Sequence, residues 1–265
     1  MKVYISADIE GTCGIVNWEE TNLNSPSGEY HKLQMTKEVG SACVGVNEHD
    51  CNYILVKDAH GSARSINQSI LPQNARILRG WTNDPHIMMA GIDKSFDATV
   101  FIGYHSGGSQ SGNPLSHTMN SSKYDYVKIN EEIATEFMLN AYTSAYYNVP
   151  VAFLSGDEML CENAKKLNPN IITVAVCKGI GDASISIHPD VALKSIEEGV
   201  SEALNGDLSR HIIKLPQEFN IEIKFKNHKD AYKASFYPNV KLINSQTIIF
   251  KTNDYYEFLR MFLFI

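Results

Sequence analysis

Met1-Lys2-Val3-Tyr4-Ile5-Ser6-Ala7-Asp8-Ile9-Glu10-Gly11 opens the chain with a β-prone apolar run that ends at once in two acids and a glycine. Residues 3 to 7 read as a strand that begins the fold. The same pattern returns three times. Tyr53-Ile54-Leu55-Val56 leads into Lys57-Asp58-Ala59-His60-Gly61, and Ala98-Thr99-Val100-Phe101-Ile102 leads into Gly103-Tyr104-His105. Val151-Ala152-Phe153-Leu154 leads into Ser155-Gly156-Asp157-Glu158. Between these runs, residues 27 to about 48 carry Tyr30, Leu33, Val39, Ala42 and Val46 near helical spacing. Residues 133 to 147 also read as a helix, closed by Asn148 and Pro150. This alternation predicts a three-layer α/β fold around a mostly parallel or mixed sheet.

The second half predicts a smaller α+β part. It holds strands at 171–177, 220–225 and 247–251, and a helix opened by His188-Pro189-Asp190 and closed after Leu204 by Asn205-Gly206. A terminal helix spans 254–265. The expected division lies near residue 160, with 1–160 as the metal-binding catalytic domain and 161–265 serving assembly and lining the pocket.

Composition narrows the function. Of 265 residues, 43% are hydrophobic and 20% charged, which supplies a core and excludes a disordered chain. Thirty acids against 23 Lys plus Arg leave a net charge of −7 with no basic run, against nucleic-acid binding by phosphate neutralisation. No apolar stretch reaches the roughly 20 residues that span a bilayer, and Asp8 comes too early for a signal peptide. Five cysteines, odd in number and without C-x-x-C spacing, suit free thiols in a reducing cytoplasm.

In an open α/β sheet, ligands bind outside the carboxyl ends of the strands. Four strands ending in Asp, Glu or His therefore aim those groups at one crevice, which turn formation alone does not explain. Asp8 and Glu10, two apart in extended backbone, point to the same side and repel unless a cation or shared proton compensates them. Mixed Asp, Glu and His ligation without Cys suits a hydrolytic zinc or manganese centre. Asp58 repeats the two-residue spacing with His60, either as a ligand or as a group orienting one. The Gly/Ser stretch 106–114 and Gly179-Ile180-Gly181 match neither phosphate-loop nor dinucleotide patterns. The stretch reads instead as a mobile loop returning His117 to the site. Glu136 alone reads as an acid near a helix start or on a solvated face.

Taken in order, these segments resemble the bacterial zinc-dependent D-aminopeptidases, which form self-compartmentalising assemblies. Ser6-Ala7-Asp8-Ile9-Glu10-Gly11 is similar to the family's opening S-x-D-x-E-G motif, and Asp58-Ala59-His60 and Gly103-Tyr104-His105 resemble its second and third motifs. Ser116-His117-Thr118-Met119 resembles the segment bearing the catalytic histidine. Glu136 falls in an E-x-x-L-N-A-Y-like helix, and Ser155-Gly156-Asp157 is similar to the G-D pair after the next strand. The loop from His105 to His117 is one residue longer than the family pattern. The resemblance implies two zinc ions per subunit, Asp8 bridging both, with Glu10, His60, His105 and Glu136 completing the shell and His117 catalytic. Asp58 and Asp157 are implied as supporting or possible ligands. It further implies release of N-terminal D-amino acids from short peptides by a cytoplasmic homo-oligomer, a homodecamer in the family's pattern. The alternatives are another dinuclear amidase or phosphoesterase, and a non-catalytic peptide-binding protein.

Overall fold

Strand β1 (Lys2–Ala7) is buried from Val3 onward, and its alternate side chains serve two separate cores. Tyr4 enters one, while Val3, Ile5 and Ala7 enter the other. A strand covered on both faces has no polar side to show, which is why it reads as a continuous apolar run.

The computed structural model describes all residues, 1–265. After β1 come α1 (Trp18–Thr21), α2 (Pro26–Asn47), β2 (Tyr53–Asp58), β3 (Ala75–Leu78) and β4 (Ala98–Tyr104). β5 (Tyr124–Ile129) and β6 (Glu132–Ile133) form a hairpin leading into α3 (Glu136–Tyr146). Then follow β7 (Val151–Asp157), α4 (Glu158–Leu167), β8 (Ile172–Ile180), β9 (Ala183–Ser186) and α5 (Pro189–Leu204). The chain closes with β10 (Phe219–Phe225), α6 (His228–Ala234), β11 (Lys241–Asn244), β12 (Thr247–Thr252) and α7 (Tyr255–Phe264).

Seven strands form one sheet in the order β3-β2-β1-β4-β7-β8-β9. All its pairings are parallel except β8 with β9. The chain runs outward from β1 through β2 and β3, then returns to β4 on β1's other side. The gap between the carboxyl ends of β1 and β4 is thus a topological switch point, where such sheets bind ligands. A second, antiparallel sheet has the order β11-β12-β10-β5-β6.

Helices α2 and α5 cover one face of the large sheet, with Val39, Val46, Ile196 and Val200 packed on Val3, Ile5 and Val100. They approach closely at Gly45, where a Cβ would lie 2.4 Å from the Glu197 carbonyl oxygen. The other core joins Tyr4, Phe101 and Tyr104 to Phe137 of α3, Phe258 of α7 and the small sheet. The result is the expected three-layer α/β architecture with a mixed sheet and an added α+β part.

The helix opened by His188 runs Pro189–Leu204 as its punctuation predicts, with His188 as N-cap. The terminal helix buries Phe258, Leu259, Met261 and Phe262 in its own chain. The helix expected at 133–147 begins only at Glu136, because Thr135 caps it by accepting from Met138 N–H and β6 takes the preceding residues. The expected boundary near residue 160 falls inside α4, and strands of both sheets lie on either side of it. No helix is long and apolar enough to cross a membrane.

Candidate metal centre

Backbone geometry first brings the strand ends together. Gly11 N–H donates to the Gly103 carbonyl at 2.9 Å, and a Cβ on Gly11 would stand 1.8 Å from the Tyr104 oxygen. Gly103, at φ +70°, lies where a Cβ would meet the Asp8 carbonyl at 2.4 Å. The segments carrying Asp8, Glu10 and His105 therefore touch backbone to backbone, which only glycine permits here.

On this platform Asp8 and Glu10 follow β1, His60 follows β2 and His105 follows β4, while Glu136 opens α3. His60 Nδ1 lies 3.4 Å from Asp8 Oδ1 and 3.1 Å from Glu10 Oε2. His105 Nε2 lies 3.5 Å from Asp8 Oδ2 and 3.6 Å from Glu136 Oε2. Each oxygen of Asp8 thus faces a different histidine. His117 Nε2 lies 3.4 Å from Glu136 Oε1, the oxygen turned away from His105. The His117 ring stacks on that of His105 at 4.4 Å and touches the edge of Trp18 at 5.1 Å.

The second nitrogen of each imidazole is tied to a backbone carbonyl: His60 Nε2 to Thr21, His105 Nδ1 to Ser106 and His117 Nδ1 to Leu115. A carbonyl only accepts, so each of these nitrogens carries a hydrogen, and the other nitrogen of each ring is the one turned to the carboxylates of the cavity. This is the arrangement seen around metal-binding histidines.

Three acids line a cavity of about 420 Å³ that has no Lys or Arg in its wall. Asp8 Oδ2 and His105 Nε2 are buried without a hydrogen-bond partner. Burial alone would raise the Asp8 carboxyl, but contacts with His105 and His60 hold it well below its ordinary value. Burial likewise opposes charge on His60 and His105. The carboxylates of Glu10 and Asp8 at His60, and of Glu136 and Asp8 at His105, nevertheless push both imidazoles well above theirs. The site therefore draws in positive charge strongly. Spacings of 3.1–3.6 Å match the edge of about 3.4 Å in a tetrahedron of ligands about 2.1 Å from zinc. Two sets of donors converge in this way, Asp8 with Glu10 and His60, and His105 with His117 and Glu136.

Asp58 and Asp157 lie outside both sets. Asp58 Oδ2 accepts from Ile66 N–H at 2.8 Å and ties down the loop that presents His60; burial raises its carboxyl. Asp157 accepts from Ser106 N–H and Oγ–H, both at 2.6 Å, and from Leu160 N–H as the cap of α4. It thereby fixes the carbonyl that orients His105. The Gly/Ser loop, expected to be mobile, is anchored at several points. Asn113 Nδ2 donates to the Glu10 carbonyl, Gly179 N–H to that of Gly112, and Gly108 N–H to Thr118 Oγ1.

Sequence reasoning passed over Thr21, Ser106 and the wall formed by Trp18, Trp81 and Met119. Asn17 and Glu20 form a capping box that announces α1, and with it Trp18 and Thr21. No comparable signal marks Trp81.

The profile of the M55 peptidase family, described as D-aminopeptidase, matches residues 1–264. A D-aminopeptidase of Bacillus subtilis (strain 168) is 29% identical over 261 residues, 97% of this chain and 93% of that protein. The solved structure of the Zn-dependent D-aminopeptidase DppA from Bacillus subtilis, a self-compartmentalizing protease, superposes with a TM-score of 0.91 at 28% identity. That match covers 99% of this chain and 96% of the other.

Proposed function

The chain belongs to the M55 family of D-aminopeptidases, and from that premise we propose that it is a dinuclear zinc aminopeptidase releasing N-terminal D-amino acids from short peptides. The observation that carries the dinuclear reading is Asp8, whose two oxygens face two different histidines 3.4 and 3.5 Å away. Asp8, Glu10 and His60 would hold one zinc, and Asp8, His105 and Glu136 would hold the other. Zinc at such a site polarises a scissile carbonyl and makes water a nucleophile near neutral pH.

The protein supplies the rest. The three carboxylates would be taken up by the zinc ions, and the cavity wall has no Lys or Arg to hold a phosphate, which speaks against a phosphoester. His117 keeps about a tenth of its side chain exposed and turns Nε2 to the cavity. We assign it the transfer of a proton between attacking water and departing amine. Glu136 Oε1 accepts from Met119 N–H at 2.7 Å, which holds the carboxylate so that Oε2 turns to His105. Asp58 and Asp157 position His60 and His105 through the loop contacts described above. The five unpaired thiols support a cytoplasmic location. The DppA likeness supports a closed homo-oligomer, a decamer in our reading, with residues after about 160 serving assembly; within one chain the expected pocket-lining role falls instead to residues 8–136.

Plasma emission on the purified protein is expected to find two zinc ions per chain, and Asp8→Ala to lose both together with activity. Full zinc in Asp8→Ala, or no release of D-residues by the zinc-loaded wild type from a panel of D- and L-aminoacyl peptides, would overturn the assignment.

A further inference from the structure

Arg64 is the one basic residue that closely follows a ligand in the sequence, and the proposed chemistry leaves it unused. It lines a second cleft, of about 370 Å³, that shares Trp18, Thr21, His60 and Gly61 with the metal cavity. The two clefts share that wall, and Arg64 is the only Lys or Arg lining either; it also borders a third cleft beside Glu29, Lys32 and Arg79. Its Nε donates to Ser62 Oγ at 3.2 Å and its own carbonyl accepts from Arg79 Nη2 at 3.2 Å. No acid pairs with the guanidinium, although the protein carries a net charge of −7.

The loop holds Arg64 in fixed relation to His60. Ala63 N–H donates to the His60 carbonyl at 2.7 Å, closing a four-residue turn that brings the two Cα atoms within about 7 Å. Gly61 and Ala63 both take left-handed φ, +55° and +56°. Gly80 N–H donates to the Ala63 carbonyl, Trp81 Nε1 to that of Gly61, and Asp58 receives Ile66 N–H. The loop is thus bolted to its surroundings on three sides.

We propose that Arg64 binds the free C-terminal carboxylate of the substrate, making the protein selective for di- and tripeptides. The metal cavity takes the amino end with its scissile bond and the guanidinium takes the carboxylate, so the two clefts together suit a short peptide with both ends free. Each peptide residue spans at most about 3.3–3.6 Å, so a longer chain carries its carboxylate past a guanidinium seated one residue beyond the His60 turn. Arg suits this task because its planar fork meets a carboxylate with two parallel hydrogen bonds. The inference rests on the aminopeptidase reading.

The test compares D-leucylglycine, D-leucylglycylglycine and D-leucyl-tetraglycine with their C-terminal amides. Wild type is expected to favour the di- and tripeptide acids over their amides by about 10–100-fold in kcat/KM, mostly through KM, with little difference for the pentapeptide. Arg64→Met should bring that ratio close to one, Arg64→Lys should restore part of it, and Arg64→Glu should reverse it. Zinc content and the urea midpoint confirm that the variants are folded. Equal handling of acid and amide by wild type, or an unchanged ratio in Arg64→Met, overturns the proposal and leaves the aminopeptidase intact. If no peptide is cleaved, the aminopeptidase reading fails instead. Calorimetric binding of the same acids and amides then decides for Arg64, with equal affinities overturning it.

Discussion

His105 and His117 stack ring on ring, 4.4 Å apart and 11° from parallel, yet they address different oxygens of Glu136. That separation predicts different losses. His117→Ala should keep both zinc ions and turn over roughly 10²–10⁴-fold more slowly. Loss of an ion, measured by plasma emission, would make His117 a ligand. Glu38 offers a second test. It is fully buried, its Oε1 accepts from Cys13 N–H and Gln34 Nε2, and its Oε2 has no partner. Burial pushes its carboxyl up to about 7, against the hydrogen bonds from Gln34 and Cys13. The native state then binds this proton more tightly than the unfolded chain, so stability from this group is greatest below about pH 4.5 and declines as pH rises to 7. Glu38→Gln removes the decline and should add about 2–4 kcal/mol at pH 8 but little at pH 4.5, read from urea unfolding. The sequence made Asp8, Glu10, His60 and His105 visible because each stands directly after an apolar run. Glu38 was not visible, since one acid in a long helix looks like any other until tertiary packing covers it.

At the scale of elements, the site depends on strand ends packed closer than side chains allow. Gly103→Ala would put a methyl group 2.4 Å from the Asp8 carbonyl in a left-handed conformation. We expect a loss of about 2–4 kcal/mol and reduced zinc occupancy, measured by urea unfolding and metal analysis on the same preparation. Retention of wild-type stability would show that the β1 and β4 ends are not so tightly joined. The strands of the large sheet were legible because burial on both faces leaves long apolar runs. β5 was not. Its run, Tyr124-Asp125-Tyr126-Val127-Lys128-Ile129, is broken by Asp125 and Lys128, and its central partner β10 lies some ninety residues further on. α4 was hidden because Asp157 reads as the end of a strand and serves equally as the cap of the next helix.

For the molecule as a whole, the metal is expected to be part of the fold. Three buried acids repel one another without a cation, so chelation should lower the melting temperature and zinc should restore it. At a hundredfold excess over Kd the linkage amounts to about 2.7 kcal/mol per site. An unchanged melting temperature after complete removal would mean that the protonated histidines alone balance the acids. Light scattering is expected to give a mass near ten chains, and a stable active monomer would reject the closed assembly. The terminal helix buries most of its apolar face inside its own subunit. Ile180, Ile185 and Val191, each more than half exposed on β8, β9 and α5, are the better candidates for an interface.

The interleaving of the two sheets also sets a timetable for biosynthesis. Glu136 stands just after β6, and that hairpin is held in the small sheet by β10, which leaves the ribosome only once residue 225 has been made. A nascent chain carrying Asp8, Glu10, His60 and His105 therefore lacks a settled Glu136 until translation is nearly finished. Stalled chains ending at residue 160 should bind zinc poorly and hydrolyse nothing, while chains released past residue 252 should do both. The site is thereby inert for most of the time the chain spends on the ribosome.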